Sequence, residues 1–214
     1  MLTESQQPFR EGLTKAIASY ESGDILAASE QFMVLAKENC PESCLYLSLI
    51  FGGGDGIPKD ELRSVRYKRR YVQIMEELAA TGDAFHELQL GYILQYGDGT
   101  AINLPRAFSM FMSAADKGCG EAQFHLSRVF AHGQCGQKVD PARELLWLEE
   151  ATKSLFPKAL YCSALFLYEK DEPEGRALME QSAELGCWQA KQYRESAQRG
   201  SSAKGQCRQQ TDAD

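Results

Sequence analysis

The strongest constraint on this chain is a recurrence. Gly82 and Gly118 stand 36 residues apart, and each is followed four residues on by a helical position, His86 and Ala122. The same step recurs at Leu155/Ala159 and Gly186/Ala190. A period in the thirties with two helices per unit predicts an α-solenoid, in which each helix pair buries its apolar face against the next. The cleanest copy runs from Leu90 to Ala122. Leu90 and Gly91 belong to its first helix. Gly97-Asp98-Gly99 ends that helix, because only glycine takes positive φ without strain. Asn103 is a good N-cap, with Pro105 in the first turn, where its missing N–H costs nothing. Ala107, Met110, Ala114 and Ala115 give a small-residue stripe at helical spacing, and Gly118 closes the unit.

The other copies are degraded. Ala16, Tyr20, Gly23-Asp24, Ala28, Phe32 and Leu35-Ala36 predict helices over about 3–22 and 24–38, broken at Asn39-Cys40-Pro41. Leu47, Ser48 and Phe51 precede the loop Gly54-Asp55-Gly56-Ile57-Pro58-Lys59-Asp60, in which Asp60 caps the next helix. That helix departs from the pattern. Ala79-Ala80 follows Ser64 by 15 residues, where Ala114 follows Ala107 by 7. The excess of eight is about two helical turns, which either extend the helix or bulge from it. The third unit carries Ala122, Leu126, Ser127, Phe130, Gly133, Asp140, Glu144, Trp147 and Ala151. Its loop is one residue longer, and Cys135 replaces a glycine. The fourth has Ala159, Ser163, Ala164 and Leu167, then a shortened loop through Asp171-Glu172-Pro173.

Composition narrows the classes. Hydrophobic residues make up 43% of the 214, enough for a core. A net charge of −7 argues against a bulk nucleic-acid binder. The first residues lack a basic stretch followed by an apolar run, and no run of apolar residues approaches a membrane span. The seven cysteines are odd in number and irregularly spaced, which predicts reduced thiols and a cytoplasmic location.

These residues resemble the Sel1-like repeat, a relative of the tetratricopeptide repeat, over about residues 13–198. The resemblance implies one all-α α-solenoid over 1–198, with units near 3–42, 43–85, 86–121, 122–158 and 159–189, a capping helix at 190–198, and a disordered polar tail at 199–214. It also implies a bacterial adaptor or regulatory scaffold that binds a protein or peptide in a concave groove and performs no catalysis. In such arrays the first helix of each unit lines the groove. By register the groove residues here are Tyr92 and Tyr96, then Phe124, Arg128 and His132, then Tyr161, Leu165 and Tyr168. Aromatics and arginine dominate binding hot spots, although tyrosine also serves ordinary interhelix packing. Secreted members of the family carry regular cysteine pairs, and that regularity is missing here.

Other chemistry is sparse. Gly52-Gly53-Gly54-Asp55-Gly56 lacks the preceding strand and the Gly-Lys-Ser/Thr ending of a phosphate-binding loop. Cys119, His125, His132 and Cys135 gather in the third unit, but His132-x2-Cys135 is their one close pair, and zinc needs converging ligands. Cys40-x3-Cys44 flanks a proline turn. No nucleophile elbow, His-Glu-x2-His or carboxylate pair is present. The expectation is an array without metal or cofactor. The alternative is a metal- or small-ligand-binding, hydrolase-like enzyme with its site near His125, His132 and Cys135. The sharpest charge anomaly is Arg63, Arg66, Lys68, Arg69 and Arg70, in which Arg63, Arg66 and Arg70 share one helical face. It is either a solvated face paired with acids such as Glu76 and Glu77, or a contact for an acidic partner. A homodimer, built through exposed terminal helices, is a further expectation.

Overall fold

The computed structural model describes residues 7–54, 56–168 and 173–196. Part of the first expected helix, Asp55, the expected loop at Asp171-Glu172 and the tail at 199–214 lie outside them. The helices are α1 (Gln7–Glu21), α2 (Ile25–Lys37), α3 (Pro41–Gly53), α4 (Glu61–Ala79), α5 (Ala84–Tyr96), α6 (Leu104–Asp116), α7 (Gly120–His132), α8 (Pro141–Lys153), α9 (Pro157–Tyr168) and α10 (Pro173–Glu184). A last helix, α11, spans 188–196, and no strand occurs among the described residues. This is the all-α, α-solenoid class that the period predicts. No described helix is long and apolar enough to cross a membrane.

Two kinds of junction alternate from α3 to α9, and the sequence dictates both. At the long loops a glycine in the left-handed region stops the first helix: Gly54, Gly97 and Gly133 have φ of 78°, 71° and 65°. A backbone bond then closes each loop, from the N–H of Asp60 to the carbonyl of Phe51 (2.8 Å), Asn103 to Leu94 (2.8 Å), and Asp140 to Phe130 (2.9 Å). The third closure spans one residue more, as its sequence predicts, and Cys135 sits within it at φ 51°. Asp60, Asn103 and Asp140 cap the next helix by accepting the N–H of Arg63, Arg106 and Arg143 at 3.0–3.1 Å.

The short turns are Schellman motifs. The N–H of Gly118 donates to the carbonyl of Ala115 at 2.9 Å, and that of Cys119 to Ala114 at 3.1 Å. The same bond pair recurs at Asn39/Cys40, Leu155/Phe156 and Gly186/Cys187. The turn residue is left-handed each time, so Leu155 holds φ 56° where Gly118 and Gly186 hold 82° and 98°. A leucine there carries a Cβ penalty of about 1–2 kcal/mol, and its exposed side chain returns little packing. Leu155→Gly is therefore expected to raise the unfolding free energy by about 0.5–1 kcal/mol after the entropy of glycine is subtracted. Chemical denaturation reads this directly; a lower midpoint would show that the leucine side chain contributes packing.

The excess in α4 is resolved by the same turn. The N–H of Gly82 bonds Ala79 as that of Gly118 bonds Ala115. Ala79 thus aligns with Ala115, and the residues in register with Ala114-Ala115 are Leu78-Ala79 rather than Ala79-Ala80. The separations Ser64–Gly82 and Ala107–Gly118 are 18 and 11, an excess of seven rather than eight. Seven residues are close to two whole turns, so the helix continues without changing the face it presents. Accordingly α4 has 19 residues where α6 and α8 have 13.

The chain forms two compact units, Met1–Met110 and Phe111–Asp214. In the first, Phe32, Leu47, Ile50 and Phe51 close around Ala16 and Ala28. The Phe32 ring stacks on Tyr46 at 4.7 Å. In the second, Ala164, Met179, Ala183 and Ala190 form a core joined by Tyr161 and Tyr193. Buried Gln123 there is satisfied at both ends: its amide donates to the carbonyl of Ala115 at 3.1 Å, and its oxygen accepts from Ser154 at 2.7 Å.

Candidate interaction site

Each expected groove residue lies on the first helix of a repeat. On α5, Tyr92 is half-buried and Tyr96 is 68% exposed, one turn apart on one face. Phe124, Arg128 and His132 follow one another at four-residue steps along α7 in the second unit. Arg128 and His132 are exposed, and Phe124 is half-buried with its ring 5.4 Å from that of Phe156. On α9, Tyr161 is half-buried against the Met179–Ala183 core, and Leu165 is exposed. The side chain of Tyr168 lies outside the described residues. The residues therefore divide by role: Phe124 and Tyr161 share in packing, while Tyr96, Arg128, His132 and Leu165 reach solvent.

The histidine and cysteine cluster does not converge. Among the described residues no three His, Cys, Asp or Glu side chains approach closely enough to hold a metal ion. His125 and His132 are separated by seven residues of helix, about 10 Å of axial rise. His125 is packed with its ring 4.2 Å from that of Phe111. Burial first, and the charge of Arg128 second, push its pKa down to about 4, so it is a neutral, half-buried residue at pH 7. Cys135 is buried in the long loop, and burial raises its thiol pKa. Cys40 caps α3, its sulfur accepting the N–H of Ser43 at 3.4 Å. Burial lifts the Cys44 thiol to about 11. Both are poor nucleophiles at neutral pH.

The basic run on α4 separates into structural and unpaired charges. Arg63 is held by Asp60 at 3.2 Å and lies over the Phe51 ring at 5.2 Å. Arg143 repeats that arrangement with Asp140 (3.3 Å) and Phe130 (5.3 Å), so Arg63 occupies a structural position of the repeat. Lys68 pairs with Asp98 at 2.7 Å. Arg70 donates to Gln73 at 2.8 Å and to the side-chain oxygen of Asn39. The acids that the sequence offered as partners are used elsewhere: Glu76 pairs with Arg106 at 2.7 Å, and Glu77 accepts from Gln73 at 3.2 Å. Arg66 and Arg69 are exposed and make no ion pair among the described residues. Helical-face geometry alone does not single out Arg69, because its availability depends on where its neighbours' partners lie.

Units of helix, long loop, helix and short turn, repeated with the same caps, define a helical-repeat protein. Residues 41–67, 87–119, 120–154 and 160–187 match the family model of the Sel1 repeat. These matches cover more than half of the chain, and the chain belongs to the Sel1 repeat family. Proteins of this family are in general non-catalytic scaffolds for protein–protein interaction. A Sel1 repeat protein from Oxalobacter formigenes is similar in structure, with 22% identity and a TM-score of 0.52 over 77% of this chain. The chain spans 64% of that protein's length, and the likeness bears on fold alone. A protective antigen present in uropathogenic Escherichia coli strains, with an SLR fold, has 18% identity and a TM-score of 0.48 over 76% of this chain and 42% of its own. No curated protein matches the chain.

Proposed function

We propose that this chain is a protein- or peptide-binding scaffold that recognises its partner through the exposed face of its first-position helices, on the concave side expected of such arrays, and that it carries out no catalytic step. The supporting observation is the α7–α9 face of the second unit. There Arg128, His132 and Leu165 are exposed and the rings of Phe124 and Tyr161 half-buried, and the charge of Arg128 on α7 acts on Cys162 of α9. An exposed cation and an apolar side chain on a rigid aromatic base are what a hot spot requires, since the aromatics are already ordered before binding. In the first unit Tyr96 presents an exposed aromatic side chain at the corresponding first-position helix. The six described cysteines are free and mostly buried, which fits a cytoplasmic protein.

The test is quantitative capture from native lysate by the wild type and by Tyr96→Ala/Arg128→Ala/Leu165→Ser. All three side chains are exposed, so melting should move little. The expected result is loss of about ten-fold or more of the partner signal, the size of effect that hot-spot truncations produce. Undiminished capture by the variant would overturn the assignment of this face.

A further inference from the structure

A second surface lies in the first unit, where α2 faces α4 across an open cleft of about 720 Å³. Its floor is apolar: Met33 and Val34 from α2 lie opposite Tyr67, whose ring is stacked on Phe51 at 5.8 Å. Its rim is cationic. Lys37 of α2 and Arg66, Arg69 and Arg70 of α4 line it, against the single carboxylate of Glu30. A chain of net charge −7 has thus gathered four cations around one apolar cleft.

Three observations make this more than a solvated face. Arg70 is held in place by Asn39, a residue of the α2–α3 turn, which fixes one end of the cleft. Glu76 and Asp98 are engaged with other cations and Glu77 with glutamine, so Arg66 and Arg69 make no ion pair among the described residues. The two extra turns of α4 lengthen this wall beyond what α6 and α8 need for the repeat's packing. Volume and lining fit side chains of a ligand rather than a bare ion. The negative whole-chain charge opposes a long polyanion such as RNA, whose binding rests on many phosphate contacts.

We propose that the α2–α4 cleft docks an acidic segment of a partner protein, with carboxylates on Arg66, Arg69 and Lys37 and an apolar side chain seated on Val34, Met33 and Tyr67. The inference shares with the scaffold reading only the premise that the partner is a protein; the surface is a different one.

Fluorescence anisotropy with a labelled short peptide of alternating glutamate and leucine tests it, alongside the same peptide with glutamine for glutamate. The expected result is binding of the glutamate peptide that weakens with salt and is about ten-fold or more tighter than the glutamine peptide. Arg66→Glu/Arg69→Glu should reduce it by at least the same factor with unchanged melting, because neither arginine makes an ion pair within the described fold. Val34→Asp should weaken it as well. Equal affinity for the two peptides, or indifference to the double reversal, overturns the proposal. So does displacement of the peptide by millimolar inorganic phosphate, which would mark a plain anion site, or tighter binding of a single-stranded oligonucleotide of matched charge. Tyr96→Ala/Arg128→Ala/Leu165→Ser should keep full peptide affinity, which separates failure at this cleft from failure of the α7–α9 surface.

Discussion

Phe32→Ala should destabilise the first unit by about 3–5 kcal/mol, the range for deleting a fully buried ring whose site collapses only partly. Phe32 has no exposed surface, stacks on Tyr46, and sits where α2 meets α3 against Leu47 and Ala28. A repeat unit has few such residues, because its helix pair buries one face against neighbours rather than a closed interior. The loss should appear as a fall in thermal midpoint of about 10 °C or more for this unit. Leu62→Ala makes the control: that side chain is 86% exposed, and its removal should change stability by less than about 0.5 kcal/mol. Similar losses for both variants would show that the α2–α3 packing does not carry the unit.

The second large effect is on pH. His125 is neutral in the folded state, with its pKa lowered from 6.5 to about 4 by burial and by Arg128. The unfolded chain takes up this proton near pH 6.5 and the folded chain near pH 4, so between those values the unfolded state binds more protons. The stability that His125 contributes is therefore intact at pH 7 and drains away as pH falls through this window. Between neutral pH and about pH 4.5 the loss attributable to this residue is about 2–3 kcal/mol. Denaturant titrations of wild type and His125→Leu across that range isolate it, since other titrating groups are common to both. The wild-type curve should fall more steeply, converging toward the variant's slope only below pH 4. Parallel curves would show that the ring is not desolvated against Phe111.

Much of this structure is legible in the sequence, because the features that announce it are backbone requirements. Gly97, Gly118 and Gly133 mark positions where φ must be positive, and Asp60, Asn103 and Asp140 mark orphan N–H groups that need an acceptor. Such demands act within a few residues, so spacing alone places the helices and even the longer third loop. Side-chain roles were less legible, because they are settled by partners a repeat away. Arg63, Arg66, Arg69 and Arg70 are alike in sequence. Asp60 and Phe51 take up the first, Asn39 takes up the last, and Arg66 and Arg69 make no ion pair among the described residues, where Glu76 is spent on Arg106, 30 residues further on. Phe124 and Tyr161 read equally as groove or core until Phe156 and Met179 are seen beside them. Likewise, His125 looks like a candidate ligand until the Phe111 ring is found against it. Leu155 and Cys135 show the converse: the turn geometry of the repeat is imposed on residues that do not favour it, and only the recurrence of hydrogen bonds reveals that.

Site-specific photo-crosslinking in the native cell lysate puts the recognition surface to its most direct test. A photoreactive residue placed at position 128 on α7 should join the protein to a discrete partner, while the same residue at position 149, on the exposed side of α8, should give only background. Equal labelling from the two positions, or a partner captured from position 149 alone, would contradict recognition through the first-position helices.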